Sequence, residues 1–204
     1  MQKTLVLSNH DLIFAGVDEA GRGPLAGPVV AAAVVLSDQF PIKGLRDSKL
    51  LSETQRFDLS KVIRRRAMSF ALAFADPAEI DNINILQASL LAMERAVKKL
   101  KVTPDMVKVD GPHKPLFRGE DNYFEVEAVV RGDQLVPAIS AASVLAKICR
   151  DRVMRRFHRH YPYYGFDSNK GYGTKDHLDA LMEFGPCPIH RKTFSPVKRA
   201  LLNG

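Results

Sequence analysis

The chain has no tryptophan and only two cysteines among its 204 residues. Cys149 and Cys187 lie far apart with no CxxC pair. That spacing excludes a disulfide framework and a thiolate zinc site, and points to free thiols in a reducing cytoplasm. Long apolar runs are missing as well. The stretch 1–14 has one lysine and a short apolar run, Leu5–Leu7, too weak for a signal peptide. No segment approaches the roughly 20 apolar residues of a membrane span, so no membrane partner is expected. Internal repeats and Gly/Ser-rich linkers are absent too. A single domain over residues 1–204 is therefore expected, with a helical appendage from about residue 160.

Hydrophobic residues make up 46% of the chain, enough to bury a core. Charge is unbalanced: 30 Lys and Arg face 23 Asp and Glu. The sequence pI is about 9.5. A basic surplus favours polyanions, either nucleic acid or an anionic membrane surface.

Periodicity predicts strands over Ile13–Asp18, Pro28–Leu36, Met68–Ala75, Met106–Asp110 and Tyr123–Val130. Pro28–Leu36 is almost wholly apolar, the mark of a strand buried on both faces. Ser52-Glu53-Thr54-Gln55 fits a capping box for a helix running to about Arg66. Asp76-Pro77 starts a short helix. Further helices are expected over Ile85–Leu100, Ile139 to about His160, and Thr174–Phe184, with an irregular tail from Gly185. Early strands interleaved with helices, then a helical last third, give an α/β class.

Three places set a carboxylate at a strand end or beside a glycine turn: Asp18-Glu19, Asp110 before Gly111-Pro112, and Asp133 after Gly132. Such positions present side chains to a ligand crevice. Hard divalent cations prefer oxygen ligands, and two ions roughly 4 Å apart can activate water against a phosphodiester. Four carboxylates would balance two dications. Any one of these acids, taken alone, reads first as solvated surface. Asp18 and Glu19 add a geometric condition. Neighbours on a strand point to opposite faces, so both can serve only if the strand ends or bulges there, or if one contributes its carbonyl.

Gly16, Gly21, Gly23 and Gly27 fail the dinucleotide fingerprint, and no GK[ST] follows. What remains is a turn, Gly21-Arg22-Gly23, where backbone can approach a ligand closely.

Taken together, Gly16-Val17-Asp18-Glu19-Ala20-Gly21-Arg22-Gly23-Pro24-Leu25-Ala26-Gly27-Pro28-Val29-Val30 resembles the opening signature of type 2 ribonucleases H, the ribonuclease HII family of bacterial type. The likeness continues through Asp47-Ser48-Lys49, Val109-Asp110-Gly111 and Gly132-Asp133. It resumes at Ser140-Ala141-Ala142-Ser143-Val144-Leu145-Ala146-Lys147 and Arg150-Asp151. Gly171-Tyr172-Gly173-Thr174 with His177, then His190-Arg191-Lys192-Thr193-Phe194, complete it. The first block is specific; the others are weak alone.

The resemblance implies a ribonuclease H-like fold, with a central five-stranded mixed sheet flanked by helices and a helical C-terminal region. It implies a catalytic, metal-holding set of Asp18, Glu19, Asp110 and Asp133, served by two Mg2+ or Mn2+ ions. The implied reaction is endonucleolytic cleavage 5′ of a ribonucleotide, in RNA/DNA hybrids and at single ribonucleotides in duplex DNA, leaving 3′-hydroxyl and 5′-phosphate ends. That places the chain in ribonucleotide removal from DNA. Gly21, Arg22 and Gly23 resemble the family's reader of the ribose 2′-hydroxyl. Tyr172 resembles the tyrosine that packs on the neighbouring deoxyribose. The fourth acid could also be Asp151; Asp133 is preferred because it follows Gly132 before the Ala-rich helix, which leaves Asp151 on the helix surface or behind the site. The ribonuclease HIII class, with a different glycine turn and an extra N-terminal domain, is set aside.

Lys49, Lys147, Lys170 and Lys175 are candidate phosphate contacts, while Arg64–Arg66 and the 155–160 cluster read as solvated helix faces. His177 is expected to fix the tyrosine loop or the helix start, and His113 is a weak candidate for proton transfer. No Ser-His-Asp or Cys-His nucleophile is evident. The default assembly is a monomer. Two other readings stay open: a silent duplex-binding module, and a nuclease or integrase of the same broad fold acting on plain DNA.

Overall fold

The computed structural model describes residues 12–37, 42–45, 51–117 and 124–203. Its sheet has five strands: β1 (Phe14–Ala20), β2 (Val29–Val35), β3 (Ser69–Ala75), β4 (Met106–Asp110) and β5 (Glu125–Val129), in the order β3-β2-β1-β4-β5. β1 pairs antiparallel with β2, and β2 with β3. β1 pairs parallel with β4, and β4 with β5. Every residue of β2 is buried, as its continuous Val/Ala run predicts for a strand covered on both faces.

Seven helices accompany this sheet among the described residues: α1 (Glu53–Arg66), α2 (Pro77–Lys98), α3 (Gly132–Leu135), α4 (Pro137–His160), α5 (Phe166–Asn169), α6 (Lys175–Phe184) and α7 (Ser195–Asn203). Ser52 and Gln55 form the expected capping box of α1, and Asp76 and Glu79 form another on α2. The two helices expected on either side of residue 84 are both present, joined end to end. Asn84 breaks the helix with a φ of 66°, and its side chain then accepts from Gln87 N–H at 3.1 Å.

One face of the sheet lies under α2. Ala88, Ala92 and Ala96 are fully buried there, with Met93 and Val97 beside them. The alanines bring helix backbone and sheet close together. The opposite face lies under α4, through Ala141, Ala142, Leu145 and Ala146 against Ala32 and Val34. Here the approach is tightest at Gly16, where an added Cβ would fall 2.2 Å from the Ala138 carbonyl carbon. Gly16 is thus what lets α4 cross directly over β1.

Two expectations need correction. β1 continues to Ala20 in unbroken register with β2 (Ala20↔Val30), so the strand neither ends nor bulges at Asp18-Glu19. The tail is not irregular throughout: α7 forms over Ser195–Asn203. Val197 and Ala200, three residues apart, are buried against Leu25 and Leu181. Ser195-Pro196 at the start was the available helix signal. No helix among the described residues is long and apolar enough to cross a membrane.

Candidate active site

Alternation along β1 sends Gly16 and Asp18 to the α4 face and Val17 and Glu19 to the α2 face. On β4, Val107 and Val109 join the α2-side core, so Asp110 shares the α4 face with Asp18. Val17 pairs with Val109, which sets Asp18 and Asp110 side by side on neighbouring strands. Asp18 is 6% exposed. Its Oδ1 accepts from Glu19 N–H at 2.7 Å, and Ser143 of α4 gives it a side-chain hydrogen bond.

Burial holds the Asp18 carboxyl well above its ordinary value, and repulsion from Glu19 and Asp110 adds to this. Glu19 is raised too, chiefly by burial; Arg22, 3.4 Å away, opposes the rise, and Asp110 augments it. Glu19 therefore joins the cluster electrostatically although it springs from the other face. The strand stops one residue later, so a long side chain there lies next to the open end of the sheet.

Asp133 sits in α3, just past Arg131 with its φ of 58°. Its N–H donates to Asp110 Oδ1 at 3.1 Å, and its carbonyl accepts from the Ser140 hydroxyl. Asp133 is buried and meets Asp110 through the backbone. Among the described residues, no three Asp, Glu, His or Cys groups stand as a ready metal cage.

A cleft of about 290 Å³ opens beside the acids, lined among others by Glu19, Gly21, Ser143, Lys147, Arg150 and Tyr172. The glycine turn and the tyrosine meet there: a Cβ on Gly23 would lie 3.6 Å from the Tyr172 ring. Tyr172 is 46% exposed.

Lys147 Nζ bonds Asp151 Oδ1 at 2.7 Å while lining the cleft. Asp151 is thereby buried as a partner of Lys147, which corrects the helix-surface reading. Lys170 turns its ammonium onto the Asp167 carbonyl, and Lys175 is exposed. His113 is exposed and does not line the cleft. Asp47-Ser48-Lys49, and with it the Lys49 candidate, lies outside the described residues.

His177 does fix the tyrosine loop, as part of a chain not anticipated from sequence. His190 Nδ1 accepts from Cys187 N–H at 3.0 Å. The two Nε2 atoms of His190 and His177 are 3.0 Å apart, and His177 Nδ1 is 2.8 Å from the Tyr172 carbonyl. With both rings neutral, each nitrogen finds one role: His190 donates to His177, and His177 donates to Tyr172. Burial lowers both histidines, His190 to about 4, with repulsion from His177 assisting. Sequence reasoning also missed Arg56 on the cleft wall, the Ser143 contact, and the buried Arg150 and Arg191. Ser143 had a signal, lying four residues before Lys147 on one helix face. The arginines stand in two of the resemblance blocks, Arg150-Asp151 and His190-Arg191, but nothing local marked them as buried.

A mixed sheet in this strand order, with acids gathered on the neighbouring parallel strands β1 and β4 and helices on both faces, defines a protein of ribonuclease H-like fold. The family model Ribonuclease HII matches residues 15–197. A ribonuclease HII from Cupriavidus necator is 56% identical over 191 residues, covering 92% of this chain and 78% of that protein. The ribonuclease H2 structure from Pyrococcus horikoshii OT3 superposes with a TM-score of 0.74 at 26% identity, covering 93% of this chain and 97% of that one. A structure described as Bst-RNase HIII in complex with Mn2+ shares the fold, with a TM-score of 0.75 at 19% identity and coverage of 94% and 70%. The chain belongs to the ribonuclease HII family: it is a ribonuclease H, an endonuclease for the RNA of RNA/DNA hybrids.

Proposed function

We propose that this enzyme cuts on the 5′ side of a ribonucleotide, both in RNA/DNA hybrids and at single ribonucleotides embedded in duplex DNA. The products carry 3′-hydroxyl and 5′-phosphate ends, and the role is removal of ribonucleotides from DNA, performed by a cytoplasmic monomer. The observation that carries this reading is the shared cleft: Glu19 of the acid cluster, Gly21 of the turn and Tyr172 all line it.

Asp18, Glu19, Asp110 and Asp133 are the residues that would hold two divalent ions, Mg2+ or Mn2+. The fit is electrostatic. Burial and repulsion raise Asp18 and Glu19, and a cation among them relieves the repulsion and favours the charged forms. When bound, such ions activate water and stabilise the charge of the phosphodiester.

The Gly21-Arg22-Gly23 backbone meets the ribose 2′-hydroxyl, the one group that marks RNA at a given sugar. A hydrogen bond available to only one substrate discriminates strongly. Tyr172 packs on the adjoining deoxyribose, and Lys147 and Lys49 meet phosphates, whose contribution is salt-sensitive. Base edges need not be read.

A labelled DNA duplex carrying one ribonucleotide, with an all-DNA control, tests the reading with and without Mg2+ or Mn2+. The expected result is a metal-dependent cut immediately 5′ of the ribonucleotide and none in the control. Equal cutting of the control would refute 2′-hydroxyl selection. Tight binding without cleavage would leave a duplex-binding protein in place of this activity.

A further inference from the structure

Two buried arginines lie directly behind the glycine turn. Arg150 and Arg191 are 1% and 0% exposed. Arg191 donates from Nε to the Gly27 carbonyl at 3.0 Å, from Nη1 to Arg22 at 2.8 Å and from Nη2 to Gly21 at 2.5 Å. Arg150 donates from Nε to Pro28 at 3.1 Å, from Nη2 to Ala26 at 3.1 Å and from Nη1 to Lys170 at 2.9 Å. All six acceptors are main-chain carbonyls. Five belong to the segment 21–28, and the sixth to the loop that carries Tyr172.

The arrangement has a strong physical demand behind it. Burying two like charges beside each other is unfavourable unless they find hydrogen-bond partners, and each guanidinium here bonds three carbonyls. A guanidinium is a rigid planar fork that can hold several carbonyls at fixed separation, which a lysine ammonium cannot do. The packing leaves little slack: a Cβ on Gly21, whose φ is +102°, would fall 2.0 Å from Arg150 Nε. The Tyr172 ring centroid lies 6.0 Å from Arg150 Cζ. One guanidinium thus underlies the turn and the tyrosine together.

We infer that Arg150 and Arg191 are positioning residues for ribonucleotide selection: they fix the Gly21–Gly23 turn and the Tyr172 loop at a single separation, so that the 2′-hydroxyl and the next sugar are met together. The inference rests on the proposed reading that this turn meets the 2′-hydroxyl. Neither arginine touches the reacting phosphate. Their effect is to pre-set backbone that otherwise would have to order on binding.

The test compares wild type with Arg191→Lys and Arg150→Lys, which keep the charge and lose the fork. On a duplex with one ribonucleotide, each variant is expected to lose about tenfold or more in kcat/KM, the scale of one hydrogen bond's net contribution. Affinity for the all-DNA duplex should stay within about twofold, because phosphate contacts elsewhere supply it. A variant that keeps wild-type kcat/KM, or that loses affinity for both duplexes equally, overturns the positioning role. Equal cleavage of both duplexes by the wild type would instead overturn the 2′-hydroxyl reading beneath it. Should a variant fail to fold, the wild-type protein still decides. Its Arg150 and Arg191 Nε–H signals in NMR are expected to exchange slowly with solvent; fast exchange of both would overturn the clamp.

Discussion

Acid should weaken this fold through His190, and the size of the effect follows from its surroundings. The ring is 1% exposed, its Nδ1 accepts from Cys187 N–H, and its Nε2 faces His177 Nε2 at 3.0 Å. A proton added to His177 would set its Nε2–H against that of His190. One added to His190 gains only the Cys187 carbonyl at 3.3 Å, which opposes the cost of burial in part. Burial first, and His177 second, hold His190 down from 6.5 to about 4. In the unfolded chain the same ring takes up a proton near 6.5. Its folded value is depressed, so its contribution is complete above about pH 6.5 and is lost as pH falls toward about 4. At about 1.4 kcal/mol per pH unit, the loss approaches about 3 kcal/mol by pH 4. Burial also lowers His177, so it adds in the same direction. The assay is urea unfolding at several pH values for wild type and His190→Asn, whose amide oxygen can still accept from Cys187 N–H. The raised acids Asp18 and Glu19 titrate in both proteins and cancel in the comparison. The wild-type advantage should shrink as pH falls through about 6 to about 4.5, with a slope near 1.4 kcal/mol per pH unit. Parallel stability curves would refute the reasoning.

Asp18→Asn should abolish cleavage yet raise stability at neutral pH. The folded carboxyl titrates above its unfolded value, so its ionisation weakens the fold as pH rises past that value. Thermal unfolding checks the sign, and a less stable variant would contradict it. Added Mg2+ should raise the wild-type Tm by mass action, with a much smaller rise in Asp18→Asn; equal shifts in both would detach the metal from this acid. Gly16→Ala should cost about 3 kcal/mol or more, above the usual overpacking range because backbone of α4 blocks the new Cβ. An unchanged urea midpoint would show that α4 can move aside. Tyr172→Ala should impair cleavage at a single ribonucleotide more than on a long RNA/DNA hybrid, and an equal loss in kcat/KM on both would remove its junction role.

The elements were legible where local chemistry dictates them. Ser52 and Asp76 cap their helices because Gln55 and Glu79 stand three residues on. The Val/Ala run of β2 admits no exposed face. Asn84 separates two helices that the pattern already divides. α7 was missed because two buried residues, Val197 and Ala200, are a faint stripe until Leu25 and Leu181 arrive from elsewhere in the chain.

For the site, sequence by itself determined which groups exist: acids near strand ends or glycine turns, a turn that needs glycine, and a tyrosine between glycines. These are local facts, set by strand termini and by the conformational freedom of single residues. Tertiary structure decided what those groups mean to one another. Asp18 and Asp110 became neighbours only when β1 and β4 paired in parallel, 92 positions apart in the chain. Burial under α4 is the main cause that raises Asp18, with repulsion from adjacent Glu19 next; the pairing adds the smaller repulsion from Asp110. Asp151 lies buried against Lys147 at the cleft wall, a pairing that the folded helix α4 provides. Arg150 and Arg191 carry no local sign of burial in sequence; only folding brings them under carbonyls more than a hundred residues away. Contacts of that range carry no local pattern, since the energy that selects them is realised only in the assembled core.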